Sequence, residues 1–227
     1  MQALISSPEG SFILEISSMA KANPGKIASL FETENFIRGQ FYCQKVSTGV
    51  GKEITKYHVG MQRDHLDPIF FTYRGRNYAF RARNIIYMMR IIKNKDEYAL
   101  DLFFVLKADM PITNEKIKAY PLPVPNIWRS GIVCMGSAQR RVASPSLGMA
   151  TEFFINEFWG SVFRSDLHEA IEAEFLRDYM IVLSRKSRSD IKLINGEVDK
   201  FIAMHSRNDA HKPISNWLQS LEKETER

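Results

Sequence analysis

Along the first half of the chain apolar residues come in strand-like runs, and from Ser144 onward they recur every three or four positions. Phe12, Leu14 and Ile16 alternate with neighbours over Ser11 to Ile16, where Ile13 alone breaks the pattern, and predict a strand. Pro24 suits the first turn of a short helix through Phe31, with Ile27 and Leu30 on its apolar side. Gly49 and Gly51 then interrupt the chain before another strand at Ile54, Tyr57 and Val59. The plainest hairpin runs from Pro68 to Arg83, where two aromatic-rich runs flank Arg74-Gly75-Arg76-Asn77. Gly and Asn supply the positive backbone angles that a tight turn needs. Ile85 to Ile92 and Tyr98 to Leu106 read as paired strands across Lys93-Asn94-Lys95-Asp96-Glu97, although the first run also suits a buried helix.

Between Pro111 and Pro125 the chain also carries Pro121 and Pro123 and shows little periodicity, which predicts an irregular, stiff loop. Ser144-Pro145 then offers an N-cap and a first helical position, and Leu147, Ala150, Phe154, Phe158 and Val162 follow at helical spacing. Leu167, Ile171, Phe175 and Tyr179 predict a second helix over 166–184. Val198, Phe201, Ile202 and His205 suggest a short third, and Pro213 opens a last one with Trp217 and Leu221. Strands in succession followed by helices predict an α+β fold, an antiparallel meander with helices packed on it.

Composition narrows the class without naming an activity. A chain of 227 residues, 44% apolar and 25% charged, has the make-up of a globular protein able to bury a sizeable core. Cys43 and Cys134 make no disulfide framework, which points to a reducing cytoplasm. No run approaches the roughly 18 apolar residues of a membrane span, and no charged and apolar leader opens the sequence. The net charge of +5 admits an acidic partner. Its densest cluster, Arg185-Lys186-Ser187-Arg188, lacks interleaved aromatics and reads as a solvated helix end, which makes nucleic acid an unlikely ligand.

Candidate chemistry centres on Cys134. A lone cysteine is most often a core residue, but Cys134 ends the short run Gly131-Ile132-Val133, and Asn126 stands eight positions before it. A thiolate can carry an acyl group without a metal, and an Asn amide can stabilise the negative oxygen of a tetrahedral intermediate. His58, His65, His168, His205 and His211 do not combine with either Cys at zinc-ligand spacing, and no phosphate-cradling or dinucleotide-binding glycine pattern is present. No cofactor or metal is therefore expected. A cysteine protease using the remote His168 is a further reading. His168 lies among helix-forming Glu and Ala residues, and a carrier thioester, which must outlast its formation, is better served without a paired base.

Val124-Pro125-Asn126 followed by Gly131-Ile132-Val133-Cys134 resembles the active-site stretch of ubiquitin-conjugating enzymes, in which His-Pro-Asn precedes Gly-x-[Ile/Val]-Cys at this spacing. Val124 stands where that family has its His. Residues 121–137 look most like the bacterial branch that contains PRTRC system protein B, whose members are found beside activating-enzyme and metalloprotease genes and often keep the Cys without the His. A weaker likeness extends from Arg74 to about Phe163. The resemblance implies a ubiquitin-conjugating-enzyme-like core over 1–163 and a helical extension over 164–227. It further implies that Cys134 accepts the carboxy terminus of a ubiquitin-like modifier from an activating enzyme and passes it to a target amine. Asn126 would brace the loop and polarise the carbonyl. Two alternatives stand beside this reading: an inactive scaffold of the same fold that binds the modifier, and a basic nucleic-acid binding module.

Overall fold

A stretch buried on one face only alternates, and one buried on both faces does not; the run Ile85 to Ile92 belongs to the second kind. The computed structural model describes residues 2–7, 10–15, 39–48, 54–73, 75–122, 124–128, 130–164 and 211–223. In chain order its elements are β1 (Gln2–Ser7), β2 (Gly10–Glu15), β3 (Gln40–Thr48), β4 (Ile54–Tyr73), β5 (Arg76–Asn94), β6 (Glu97–Ala108), β7 (Lys118–Pro121) and β8 (Arg141–Ala143). Helix α1 (Leu147–Gly160), β9 (Val162–Phe163), β10 (Lys212–Pro213) and helix α2 (Ile214–Glu222) complete them. The fold is α+β, as the pattern predicts. One sheet runs β10-β7-β6-β5-β4-β3 with β8 also on β6 and β9 also on β4, and β1 and β2 form a separate antiparallel pair.

Each face of the large sheet is covered. Ile85, Tyr87, Met89 and Ile91 of β5 point into a core shared with α1, while Ile86 and Met88 point into a second core with Ile214, Trp217, Leu218 and Leu221 of α2. Strand β6 does the same with one irregularity. Arg90 pairs with Leu102 but Ile91 with Leu100, so Asp101 is an extra residue in the ladder. That bulge reverses the parity: Tyr98 and Leu100 face α1 before it, Phe103 and Val105 after it. It also brings Asp101 beside the buried Arg90, with which it forms an ion pair.

Strands β4 and β5, of 20 and 19 residues, are long enough to curl, and the register of β4 shifts between Arg63 and His65 and again before Ile69. Beyond those shifts Ile69, Phe71 and Tyr73 close over the end of α1, where the Phe71 ring lies 5.0 Å from that of Phe163. Under α1 the indole of Trp159 donates to the Tyr87 hydroxyl at 2.9 Å, and His65 Nε2 lies 2.7 Å from the same oxygen. Burial raises the Tyr87 pKa, so the phenol keeps its proton. The direction of its hydrogen bond with His65 follows the tautomer of the imidazole.

Burial, and next the Arg63 charge, lower the His65 pKa to about 4, against a small opposing effect of Asp64. A depressed folded pKa means that this contribution to stability is complete above about 6.5 and is lost as pH falls towards about 4. We expect unfolding free energy to fall by roughly 2–3 kcal/mol across that window through His65 alone. His65→Gln keeps a hydrogen-bond partner for Tyr87 and cannot titrate. Urea unfolding at pH 7 and pH 4.5 should therefore show a shallower loss for the variant, and equal losses would exclude His65 as the cause.

Several details differ from expectation. The Ser144-Pro145 cap is displaced: Ser146 is the N-cap of α1 and accepts from Met149 N–H at 3.1 Å. Ser144 instead binds Ser146, its hydroxyl donating to the carbonyl at 3.0 Å. Val162 lies beyond the helix in β9 and is 62% exposed. The stretch from Pro111 to Pro125 is not wholly irregular, because Ala119, Tyr120 and Pro121 pair with the edge of β6. Unpaired backbone groups on β6 outweigh the weak local propensity there. The predicted strand near Ser11 is present as β2, and Pro213 opens α2 as expected. The helices expected at Pro24–Phe31, 166–184 and Val198–His205 lie outside the described residues. Within the expected extension, His211–Lys223 is described, and it completes the sheet through β10 and covers its second face through α2. Among the described residues no helix is long and apolar enough to cross a membrane.

Candidate active site

The outer edge of β6 is filled in three steps. β7 pairs at Leu106–Ala108, β8 at Glu97–Ala99, and between them Ile132 bridges Phe104 while Val133 N–H donates to Phe103 O at 2.8 Å. Ile132 and Val133 are one arm of a small hairpin whose other arm is Asn126–Ile127. Ile127 bridges Val133, and Cys134 N–H donates to Asn126 O at 2.7 Å. Trp128 N–H to Ile132 O and Gly131 N–H to Trp128 O, both 2.8 Å, close the turn. Gly131 takes φ +85°, a left-handed angle that suits glycine. An eight-residue separation in sequence thus becomes direct backbone contact between Asn126 and Cys134.

Asn126 is 2% exposed and itself left-handed, at φ +68°. Asn tolerates that region better than most residues. Its amide Nδ2 donates to Val162 O at 3.1 Å, and its Oδ1 accepts from Arg164 N–H at 3.0 Å. Those two groups straddle Phe163 on the edge of β9, whose other edge pairs in parallel with Thr72 and Tyr73. The carboxamide therefore takes the place of a peptide unit from a neighbouring strand. The side chain thus binds β9 rather than the backbone of its own loop, and sequence spacing held no sign of Val162 and Arg164 as its partners.

Cys134 is a free, partly exposed thiol directly after the hairpin. Cys43 forms no disulfide and is only 2% exposed, and burial pushes its thiol up to about 11. Of the histidines, His65 is engaged by Tyr87, His211 stacks on Tyr120 at 4.5 Å, and His58 is buried in β4. His168 and His205 lie outside the described residues. Among the described residues no cluster of three or more His, Cys, Asp and Glu side chains could hold a metal ion.

Val124 is fully buried and belongs to the core shared with α1, as do Leu122, Ile127, Val133 and Met135. A branched aliphatic there supports the hairpin by packing. Val124→Asp places a carboxylate in that core, and we expect a loss of at least about 4 kcal/mol, visible as a collapsed thermal melt. Val124→His should cost roughly 1–3 kcal/mol, the desolvation of a ring left without a partner. A melting temperature for Val124→Asp close to that of the parent would show that the loop does not depend on this contact.

Comparison with protein-family models, with curated proteins and with solved structures found no match to this chain.

Proposed function

We propose that this protein is a cysteine thioester carrier of the ubiquitin-conjugating type, and that its α+β core has the ubiquitin-conjugating-enzyme-like fold. The observation that carries the reading is the hairpin itself, in which the backbone bond from Cys134 N–H to Asn126 O sets a partly exposed Cys beside a buried Asn. In the proposed reaction the Cys134 thiolate attacks the thioester joining a ubiquitin-like modifier to its activating enzyme. A new sulfur–carbonyl bond forms and the enzyme's thiolate leaves. A target amine then attacks the Cys134 thioester, the Cys134 thiolate departs, and the amine's surplus proton passes to solvent. Only one of the two Nδ2 hydrogens of Asn126 is used by Val162 O, and the other is the proposed donor to the carbonyl oxygen. An activating enzyme is required because the sequence carries no nucleotide-binding glycine pattern.

One observation favours a second reading, a scaffold of the same fold that binds the modifier without transferring it. Both ends of the Asn126 carboxamide are engaged by β9, a sufficient structural reason for an Asn at this position. The two readings part in one experiment. Incubation with the activating enzyme, modifier and ATP should give a mass shift of one modifier that a thiol reductant removes. Binding of the modifier with no such shift would leave the scaffold.

A further inference from the structure

We infer that α2 is a positioning element for the Cys134 hairpin, with Trp217 the residue that acts, through Gly131, on the thiol. The inference rests on Cys134 being the reactive group of the proposed function. Ile214, Trp217, Leu218 and Leu221 share one stripe of α2 and bury it on the second face of the sheet. Within that stripe the indole is held on several sides. Its Nε1 donates to Ala119 O at 3.1 Å, the Phe104 ring meets it edge-on at 5.6 Å, and Lys212 Nζ stands 5.3 Å above it. What the ring then presses on is the hairpin turn. A methyl group added at Gly131 would lie 3.0 and 3.1 Å from two indole carbons and 3.2 Å from Leu106 Cδ2, tighter than ordinary contact, so the turn lies close against the ring.

The neighbouring residues divide between the two cores. Ile132 packs with the α2 cluster, and Val133 with the α1 cluster. The three residues before Cys134 are thus gripped from both faces of the sheet, and the α2 side of that grip depends on the helix staying docked. Arg90 provides the docking. Its Nη1 donates to Leu221 O at 3.1 Å and Lys223 O at 2.7 Å, open carbonyls at the negative end of the helix, and its Nε pairs with Asp101. Tyr42 adds a bond to Glu222 at 3.1 Å. Loss of the indole would release one side of the turn, whereas Cys43 of β3 lies in the other core, the one shared with α1.

The two cysteines make the test internal to one molecule. A partly exposed thiol is alkylated from the native state, whereas a buried one must wait for the structure to open. Iodoacetamide rates at Cys134 and Cys43 would be followed by residue-resolved mass spectrometry on the full chain, in the parent, Trp217→Ala, Trp217→Phe and Gln219→Ala, the last an exposed position on the same helix. We expect Trp217→Ala to accelerate Cys134 about tenfold beyond any change at Cys43, Trp217→Phe to do so about threefold, and Gln219→Ala to change neither. Acceleration of both cysteines by one common factor, or no acceleration at Cys134, would reduce α2 to a general contributor to stability. If Trp217→Ala does not fold, the Trp217→Phe comparison decides by the same criterion. A parent chain that never forms a thioester would defeat the proposed function and leave this comparison standing.

Discussion

Cys134→Ala is expected to abolish the reductant-sensitive adduct completely, and Cys43→Ala to leave it at the parental level. The two thiols differ in access. Cys43 is buried in β3 with its thiol pushed up to about 11, so at pH 7 roughly one molecule in ten thousand carries the thiolate. A modifier's carboxy terminus cannot reach it without opening the sheet. Cys134 is partly exposed and follows a hairpin fixed to the β6 edge by Val133, so its backbone is already placed. Cys134→Ser supplies a positive arm, because an oxygen ester resists thiol reductants and yields to alkali. Non-reducing electrophoresis and intact mass measurement would read all four proteins. An adduct that survives in Cys134→Ala would remove the thioester assignment.

How much of this was legible before the fold was known follows from the range of the forces involved. The hairpins at Gly75 and at Lys95-Asp96 could be read because a turn is a local event, and Gly75 and Lys95 take the left-handed angles such turns require. The run Ile85 to Ile92 left helix and strand open for a reason now visible. Its residues alternate between two buried faces, so no polar position marks the period. Strand β3 escaped detection for the same reason, with Tyr42 in one core and Cys43 in the other. β7 exists because β6 offered an edge to it, which no property of Lys118–Pro121 announces. At the candidate site the spacing of Asn126 and Cys134 was legible, and so was Val124 as a packing residue. The contacts that hold them, Val162, Arg164 and Trp217, come from elements that only the tertiary fold brings near.

That distinction changes what Asn126→Ala should do. On spacing alone the variant would be expected to fold almost normally, form the Cys134 thioester and discharge it slowly. With the amide filling the edge of β9, truncation strips partners from Val162 O and Arg164 N–H and leaves Ala at φ +68°. Val162 and Arg164 are exposed, so each lost hydrogen bond costs about 0.5–1.5 kcal/mol net, and the left-handed angle adds about 1–2 for a residue with an ordinary Cβ. We therefore expect a loss of roughly 2–5 kcal/mol, measured by urea unfolding. Asn126→Gly removes the amide without the angular strain, so the difference between Ala and Gly isolates the backbone share. Catalysis must then be compared where both variants are still folded. Charging exchanges one thiol for another and needs an oxyanion donor less than amine attack does, so the thioester should form in both. Its single-turnover discharge to free lysine should slow about a hundredfold to a thousandfold if the second Nδ2 hydrogen serves the carbonyl oxygen. Parental discharge in a folded Asn126→Gly protein would confine Asn126 to holding β9, and the chemistry would then belong to Cys134 and the backbone around it.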